Sequence, residues 1–216
     1  MKFFRTTVAA TLLSAALIGP ASAANIFVEG IDAGASTGTA ADTTGLSPLN
    51  GIQGALSLEP ANGPDFVDMF KISVDSKGTL VVRTGSSFSP WLIADPVLYL
   101  FNALGGGVAM DDESGGNAQA KLKAPLLAGT YFLAIAYAGV EPLDGNGASI
   151  FDAFGSLGVI SGNPLASWLE APFALDPGTV GDYQISVIVP EPGTLGLALL
   201  ALVGLGGSVS RRRAVA

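Results

Sequence analysis

Apolar and polar residues alternate one for one over several short stretches of the chain. Phe70, Ile72 and Val74 alternate with Met69, Lys71 and Ser73, and Leu80 and Val82 with Val81 and Arg83. Ala120, Leu122 and Ala124 alternate with Lys121 and Lys123. Tyr183, Ile185, Val187 and Val189 alternate with Gln184, Ser186 and Ile188. Side chains leave a strand to opposite faces in turn, so this period predicts strands with one buried and one solvated face. The runs 97–101 (VLYLF) and 131–137 (YFLAIAY) are apolar at every position, which predicts central strands covered on both sides. Gly105-Gly106-Gly107, Gly115-Gly116, Ala128-Gly129 and Pro177-Gly178 fall between these runs as turns. Short strands, Gly-rich turns and no long amphipathic helix predict an all-β fold, an antiparallel β-sandwich or jelly roll.

One stretch breaks the rhythm. Residues 139–180 span 42 positions without a strand pattern, too long for a plain turn. They hold Phe151, Phe154, Leu157, Val159, Ile160, Trp168, Leu169 and Phe173 in a Gly/Pro setting. Phe151, Phe154 and Leu157 have helical spacing, and Asn163-Pro164 predicts the start of a short helix carrying Trp168. Trp168 and the phenylalanines could form a platform for a sugar or a partner. The reading preferred here is that they fold the insertion onto the sandwich, because an isolated apolar loop in water is costly. Trp91, after Ser89-Pro90, reads as a packing residue at a strand edge.

The two ends have a different character. In residues 1–23, Lys2 and Arg5 precede an apolar run over 8–18, and Ala21-Ser22-Ala23 follows. This is the pattern of a secretory signal peptide, with cleavage between Ala23 and Ala24. At the other end Pro190-Glu191-Pro192 precedes 15 apolar residues, 195–209, and then Arg211-Arg212-Arg213. The apolar run has no polar face, so it reads as a single transmembrane helix over 194–210 rather than a core helix. Arginines stay cytoplasmic, which sets the middle of the chain on the far side of the membrane.

Charge sharpens the picture. Of 10 Lys and Arg, Lys2, Arg5 and the three terminal arginines lie in the ends, and of 18 acids only Glu191 does. Residues 24–189 therefore carry 5 bases against 17 acids, a net charge near −12. Such a body is repelled by nucleic acid. The chain has no Cys and no His, which removes disulfides, thiolate chemistry, Ser-His-Asp triads and most transition-metal sites. Carboxylate chemistry and hard-cation binding through oxygen remain.

The tail 190–216 resembles the PEP-CTERM sorting signal of exopolysaccharide-producing Gram-negative bacteria, on Val189-Pro190-Glu191-Pro192-Gly193-Thr194, the Leu/Ala/Gly run and the closing arginines. That resemblance implies an exosortase, an integral-membrane protease/transpeptidase, as a partner beside signal peptidase and the secretion machinery. It also implies export across the inner membrane, a transient anchor there, and a final place at the cell surface or outside it. Prolines keep the motif extended and out of any sheet, so an enzyme can thread it.

The middle carries a second resemblance. Asp65-Phe66-Val67-Asp68-Met69-Phe70, Asp95-Pro96-Val97-Leu98-Tyr99-Leu100-Phe101, Asp111-Asp112-Glu113-Ser114-Gly115-Gly116, Ala128-Gly129-Thr130-Tyr131-Phe132-Leu133-Ala134-Ile135 and Gly181-Asp182-Tyr183-Gln184-Ile185 follow one another. In this order they look like a bacterial pre-peptidase C-terminal (PPC)-like domain, a β-sandwich appended to secreted proteases and surface proteins. The domain would occupy 24–189, with its core over about 41–189 and the insertion 139–180 as a departure from a minimal member.

Asp111-Asp112-Glu113, ahead of Ser114-Gly115-Gly116, is the densest acid cluster. Three adjacent carboxylates repel one another, and Ca²⁺ would relieve them through hard oxygen ligands. Asp95, and Asp65 or Asp68, could join from neighbouring loops, as some PPC-like domains bind calcium. The plainer alternative is a solvated hairpin turn, and the cluster does not match the EF-hand loop. No acid lies in a recognisable catalytic context, so no catalytic residue and no organic cofactor is assigned. The expected protein is a non-enzymatic, structural or adhesive surface component in an exopolysaccharide setting. A Ca²⁺-assisted carbohydrate-binding module and a carboxylate-only secreted hydrolase are the alternatives.

Overall fold

Strands account for all the regular structure among the described residues of the computed structural model, which are 24–56, 65–85, 95–152, 158–170 and 181–189. The expected signal segment 1–23 with Ala23, and the expected sorting segment 190–216 with Pro190-Glu191-Pro192, the expected helix 194–210 and the arginines, lie outside them. So do Trp91, Phe154, Leu157, Phe173 and Pro177-Gly178.

In chain order the strands are β1 (Ile26–Val28), β2 (Ala41–Asp42), β3 (Gly51–Leu56), β4 (Val67–Val74), β5 (Gly78–Thr84) and β6 (Pro96–Asn102). They continue with β7 (Gly107–Asp111), β8 (Lys121–Leu126), β9 (Gly129–Tyr137), β10 (Glu141–Asp144), β11 (Leu165–Leu169) and β12 (Gly181–Ile188). A first sheet runs β1-β3-β12-β5-β8, a second runs β2-β4-β9-β6-β7, and β10 and β11 form a separate ribbon. The pairings are antiparallel as expected, except for two short parallel pairs, β1 with β3 and β2 with β4.

Inner faces of the two sheets share one apolar core. Leu80 and Val82 of β5, Leu122 and Ala124 of β8, and Tyr183, Ile185 and Val187 of β12 are buried, while Arg83, Lys123, Ser186 and Ile188 point outward. Phe70 of β4 meets Tyr183 of β12 edge-on at 6.3 Å between ring centres, a contact that joins the two sheets. Alternation holds in the second half of β4 but not in the first, where Asp68 and Met69 are also buried. The segment after β1 crosses there, and Met69 donates its N–H to the Gly34 carbonyl at 3.0 Å.

The insertion departs from expectation. Trp168 lies on β11, a strand paired with β10 (Pro142 opposite Trp168), and not on a helix. Asn163 does not begin a helix either: its side chain donates to Asp144 Oδ2 at 2.9 Å and its N–H to Ser161 Oγ. Phe151 bridges to Val159 as an isolated β-pair. The spacing of apolar residues here comes from packing on a flat sheet face. Tyr99 and Phe101, on one side of β6, meet Phe151 at 5.6 and 5.7 Å and Trp168 at 5.5 and 6.2 Å. This ribbon is why 97–101 could be apolar on both faces: Leu98 and Leu100 enter the core, and Tyr99 and Phe101 are roofed from outside. Gly107 permits the roof to close, since a Cβ there would press into Ile150 and the Phe151 ring. Buried Asp144 ties the roof together, accepting from Asn146 N, Ala148 N, Ser161 Oγ and Asn163 Nδ2. Those donors, the Ser161 hydroxyl first, hold its carboxyl well below the usual range.

The roof is expected to carry stability. Phe151→Ala should lower the unfolding free energy by about 3 kcal/mol, and Trp168→Ala, whose ring is only half buried, by about 2 kcal/mol. Urea denaturation followed by circular dichroism checks both, and a near-zero effect for Phe151→Ala would contradict the packing described.

Candidate metal centre

Four carboxylates converge at one end of the sandwich, from two separate parts of the chain. Glu29 follows β1 and is fixed by its backbone, whose N–H donates to the Gln53 carbonyl at 2.8 Å. Asp32 lies in the turn beyond, where its Oδ1 accepts from Gly34 N at 2.6 Å. Asp65 precedes β4, and Asp68 is its second residue. One oxygen each from Asp32, Asp65 and Asp68 lie within 4.8 Å of one another.

Hydrogen bonds bind Glu29 to the same group. Its Oε1 accepts from Ala33 N at 2.7 Å and its Oε2 from Ala55 N at 3.2 Å. Ala33 N also reaches Asp68 Oδ1 at 3.3 Å. The Tyr183 hydroxyl lies 2.7 Å from Asp68 Oδ2 and 3.0 Å from Glu29 Oε2. It has one proton to share between two acceptors. Gly54 on β3 makes room, because a Cβ there would overlap both Glu29 Oε2 and Tyr183 Oη.

Electrostatics at this end are unfavourable to anions. Asp68 is fully buried, Asp65 partly so, and Asp32 exposed. Burial, then Asp32 and Glu29, push Asp65 up to about 7. Burial, then Asp65 and Glu29, raise Asp68 further, against a smaller lowering by the Tyr183 hydrogen bond. Tyr183 is raised as well, by burial and then by Asp68 and Glu29. Nearby, burial pushes the Tyr137 phenol up to about 12, and Asp65 adds to it. The buried Tyr137 hydroxyl has no hydrogen-bond partner among the described residues. Among the described residues no Lys or Arg forms an ion pair with the cluster; the ion pair present, Lys71 with Asp42 at 2.9 Å, is elsewhere.

Such a group can be relieved by protons or by a cation. The donors are all oxygens, anionic or phenolic, and they arrive on turns as well as on a strand. That chemistry fits a hard divalent ion of the calcium type and not a soft metal. A shallow depression of about 150 Å³ opens beside it, lined by Asp32, Asp65, Trp168 and Glu170 among others. Trp168 is fastened there by a 2.6 Å bond from Nε1 to the Ala35 carbonyl, with its ring packed on Tyr99 and Phe101.

The residues singled out from sequence lie at the same end of the second sheet but divide into two groups. Asp111 closes the β7–β8 connection, accepting from Ser114 N at 3.2 Å, from Lys121 N at 2.6 Å and from the Ser114 hydroxyl. Its carboxylate is thereby committed to the turn. Asp95 and Asp112 are brought near each other, just before β6 and just after β7. Each keeps a buried oxygen with no hydrogen-bond partner. Burial, then Asp95 and Glu113, push Asp112 up to about 6, and burial with Glu113 raises Asp95. Asp65 and Asp68 do not join them; they belong with Glu29 and Asp32. The sequence reading passed over those last two and Tyr183. One signal for the centre was present: Asp68 is an acid inside an apolar strand, between Val67 and Met69, where only a partnered carboxyl is tolerated.

Asp65 and Asp68 hold protons more tightly folded than unfolded, where an aspartate titrates near 4. Stability of the metal-free chain is therefore expected to fall as pH rises from about 4 through 7, as the unfolded state releases protons first. Melting temperatures in chelator between pH 4.5 and 8 test this. Asp65→Asn should flatten the decline, and an upward slope in the parent would contradict it.

No family model matches the chain, and no curated protein matches it. Among solved structures the chain is similar to the pre-peptidase C-terminal domain of collagenase from Bacillus anthracis, at 14% sequence identity and a TM-score of 0.38, over 68% of this chain and 93% of that one.

Proposed function

We propose that this chain is an exported, non-enzymatic surface protein with a PPC-like β-sandwich, whose N-terminal segment is stapled to the sandwich by a divalent cation, calcium by preference. Glu29, Asp32, Asp65 and Asp68 would hold the ion, with Asp95 and Asp112 as a second, smaller candidate pair. The observation that carries this reading is the meeting of Asp32, Asp65 and Asp68 within 4.8 Å, with Asp68 fully buried. Glu29 and Asp32 lie on the segment after β1, and Asp65 and Asp68 on the opposite sheet, so one ion would join parts that otherwise repel. Calcium is plentiful outside cells, and extracellular modules of this kind need only about 10⁻⁴–10⁻³ M affinity. A non-enzymatic role is supported by the same burial. Asp68, the innermost of these acids, is closed off from solvent and so is not placed to reach a substrate.

Export and sorting rest on the two ends of the sequence. The signal-like segment 1–23 and the Pro190-Glu191-Pro192, apolar and Arg211-Arg212-Arg213 order support handling by an exosortase, with release to the cell surface or beyond. A calcium-assisted carbohydrate site is the second reading, favoured by Trp168 at the rim of the depression that Asp32 and Asp65 line.

Calcium should raise the melting temperature of the full chain, contributing about 1.4 kcal/mol at tenfold excess over the dissociation constant. Asp32→Asn and Asp65→Asn should weaken binding in calorimetric titration by tenfold or more. An identical calcium response in parent and variants would sink the staple. For export, intact mass spectrometry of envelope and medium fractions should show loss of residues 1–23 and, after sorting, of residues beyond Pro190. Recovery of only full-length chain from the cytosol would contradict it.

A further inference from the structure

The chain's positive charge is not spread evenly. Of the five Lys and Arg in residues 24–189, three meet on one patch of the first sheet's outer face. Arg83 on β5 lies directly opposite Lys121 on β8, and Lys123 faces Val81 two residues along. Side chains directly opposite on adjacent strands have Cβ atoms about 5 Å apart, so like charges there repel. The repulsion is felt: Arg83, then Lys123, lower the Lys121 ammonium from its ordinary value. Among the described residues none of the three forms an ion pair, although the protein is rich in acids. Asp111, the nearest carboxylate, is held by the Ser114 and Lys121 donors already described.

Protection of an exposed sheet edge explains part of this arrangement. Lysines on an edge strand discourage pairing with another chain, and β8 is an edge. Arg83 is not explained that way, because β5 lies between β12 and β8. Placing it opposite Lys121 worsens the repulsion without guarding anything. A ligand that brings negative charge would account for all three.

We propose that the outer face of β5 and β8 is a docking surface for an anionic linear polysaccharide, whose carboxylates pair with Arg83, Lys121 and Lys123. Lys121 and Lys123 point to the same side about 7 Å apart along the strand, and with Arg83 opposite they form a row of like charges that a polymer bearing repeated carboxylates would neutralise. Ser186 lies beside Arg83, and exposed Ile188 beside Val81, giving a hydroxyl and an apolar surface on the same face. A shallow depression of about 330 Å³ between the sheet edges, lined by Lys121, Lys123, Ser114, Met110 and Asp111, offers room for a neutral substituent, the Asp111 carboxylate being held by its turn. Nucleic acid fits poorly, because its phosphates are far denser than three cations can offset on a body of net charge near −12. This surface does not depend on the cation staple.

The test uses the full chain in non-ionic detergent, with chelator present so that calcium bridging plays no part. Titration with polygalacturonate should show binding that weakens as sodium chloride rises from 50 to 300 mM. The triple variant R83Q/K121Q/K123Q should bind at least about tenfold more weakly. It should melt no lower than the parent, since it removes a repulsion. Equal binding by the variant, or equal binding of neutral dextran by the parent, would overturn the proposal. So would tighter binding of duplex DNA than of polygalacturonate, which would make the patch a nucleic-acid site. Polymer-free oligomers that the variant abolishes would assign the patch to contacts between copies of the chain. An aggregating variant from a parent that ignores the polymer would leave edge protection as the whole explanation.

Discussion

The two central strands of the second sheet set the terms for everything around them. β6 and β9 are apolar on both sides, and a strand of that kind is stable only when each face is taken out of water. One face is covered by the first sheet. The other needs a separate cover, and the long insertion supplies it by laying Phe151 and Trp168 over Tyr99 and Phe101. Tyr99 also sends its hydroxyl to the Val140 carbonyl at 2.7 Å, so the roof is anchored by a polar bond as well as by rings. Asp144 then satisfies the backbone groups that such a fold-back would strand.

The same demand for burial creates the acidic centre. Asp68 is drawn inside because β4 is crossed by the segment after β1 as well as packed on the core. Once inside, it cannot be a free anion at low cost, so it must share a proton or a positive ion. Gly54 and Tyr183 show that space and a donor are reserved for this group. A fold whose core could be entirely apolar instead concentrates charge where the segment after β1 crosses β4, beside Tyr183 of β12.

Much of this could be read from the pattern of residues, and the exceptions have physical causes. Strands with one wet face announce themselves by alternation, and β4, β5, β8 and β12 did so in Lys71, Arg83, Lys123 and Ser186. β1 and β2 are three and two residues long, too short to show any period, and their parallel pairing depends on where the chain returns in space. β10 and β11 were hidden for another reason. Phe151 and the β11 residue Trp168 answer to a sheet face below them and not to a period of their own, and Asn163-Pro164 imitated a helix start while serving the Asp144 turn. The candidate centre was half legible. Asp65 and Asp68 stand close in sequence, but Glu29 and Asp32 join them from more than 30 residues away, and no local spacing encodes that meeting.

β12 is the last described strand and also the middle one of its sheet, paired to β3 on one side and β5 on the other. Ladder bonds run across the strands, at right angles to the chain. A pull entering beyond residue 189 would act along β12 and strain both ladders together, in shear, rather than peeling them open one bond after another. A sandwich tethered by that end would behave as a mechanical fastener, yielding only when several bonds on both flanks fail at once.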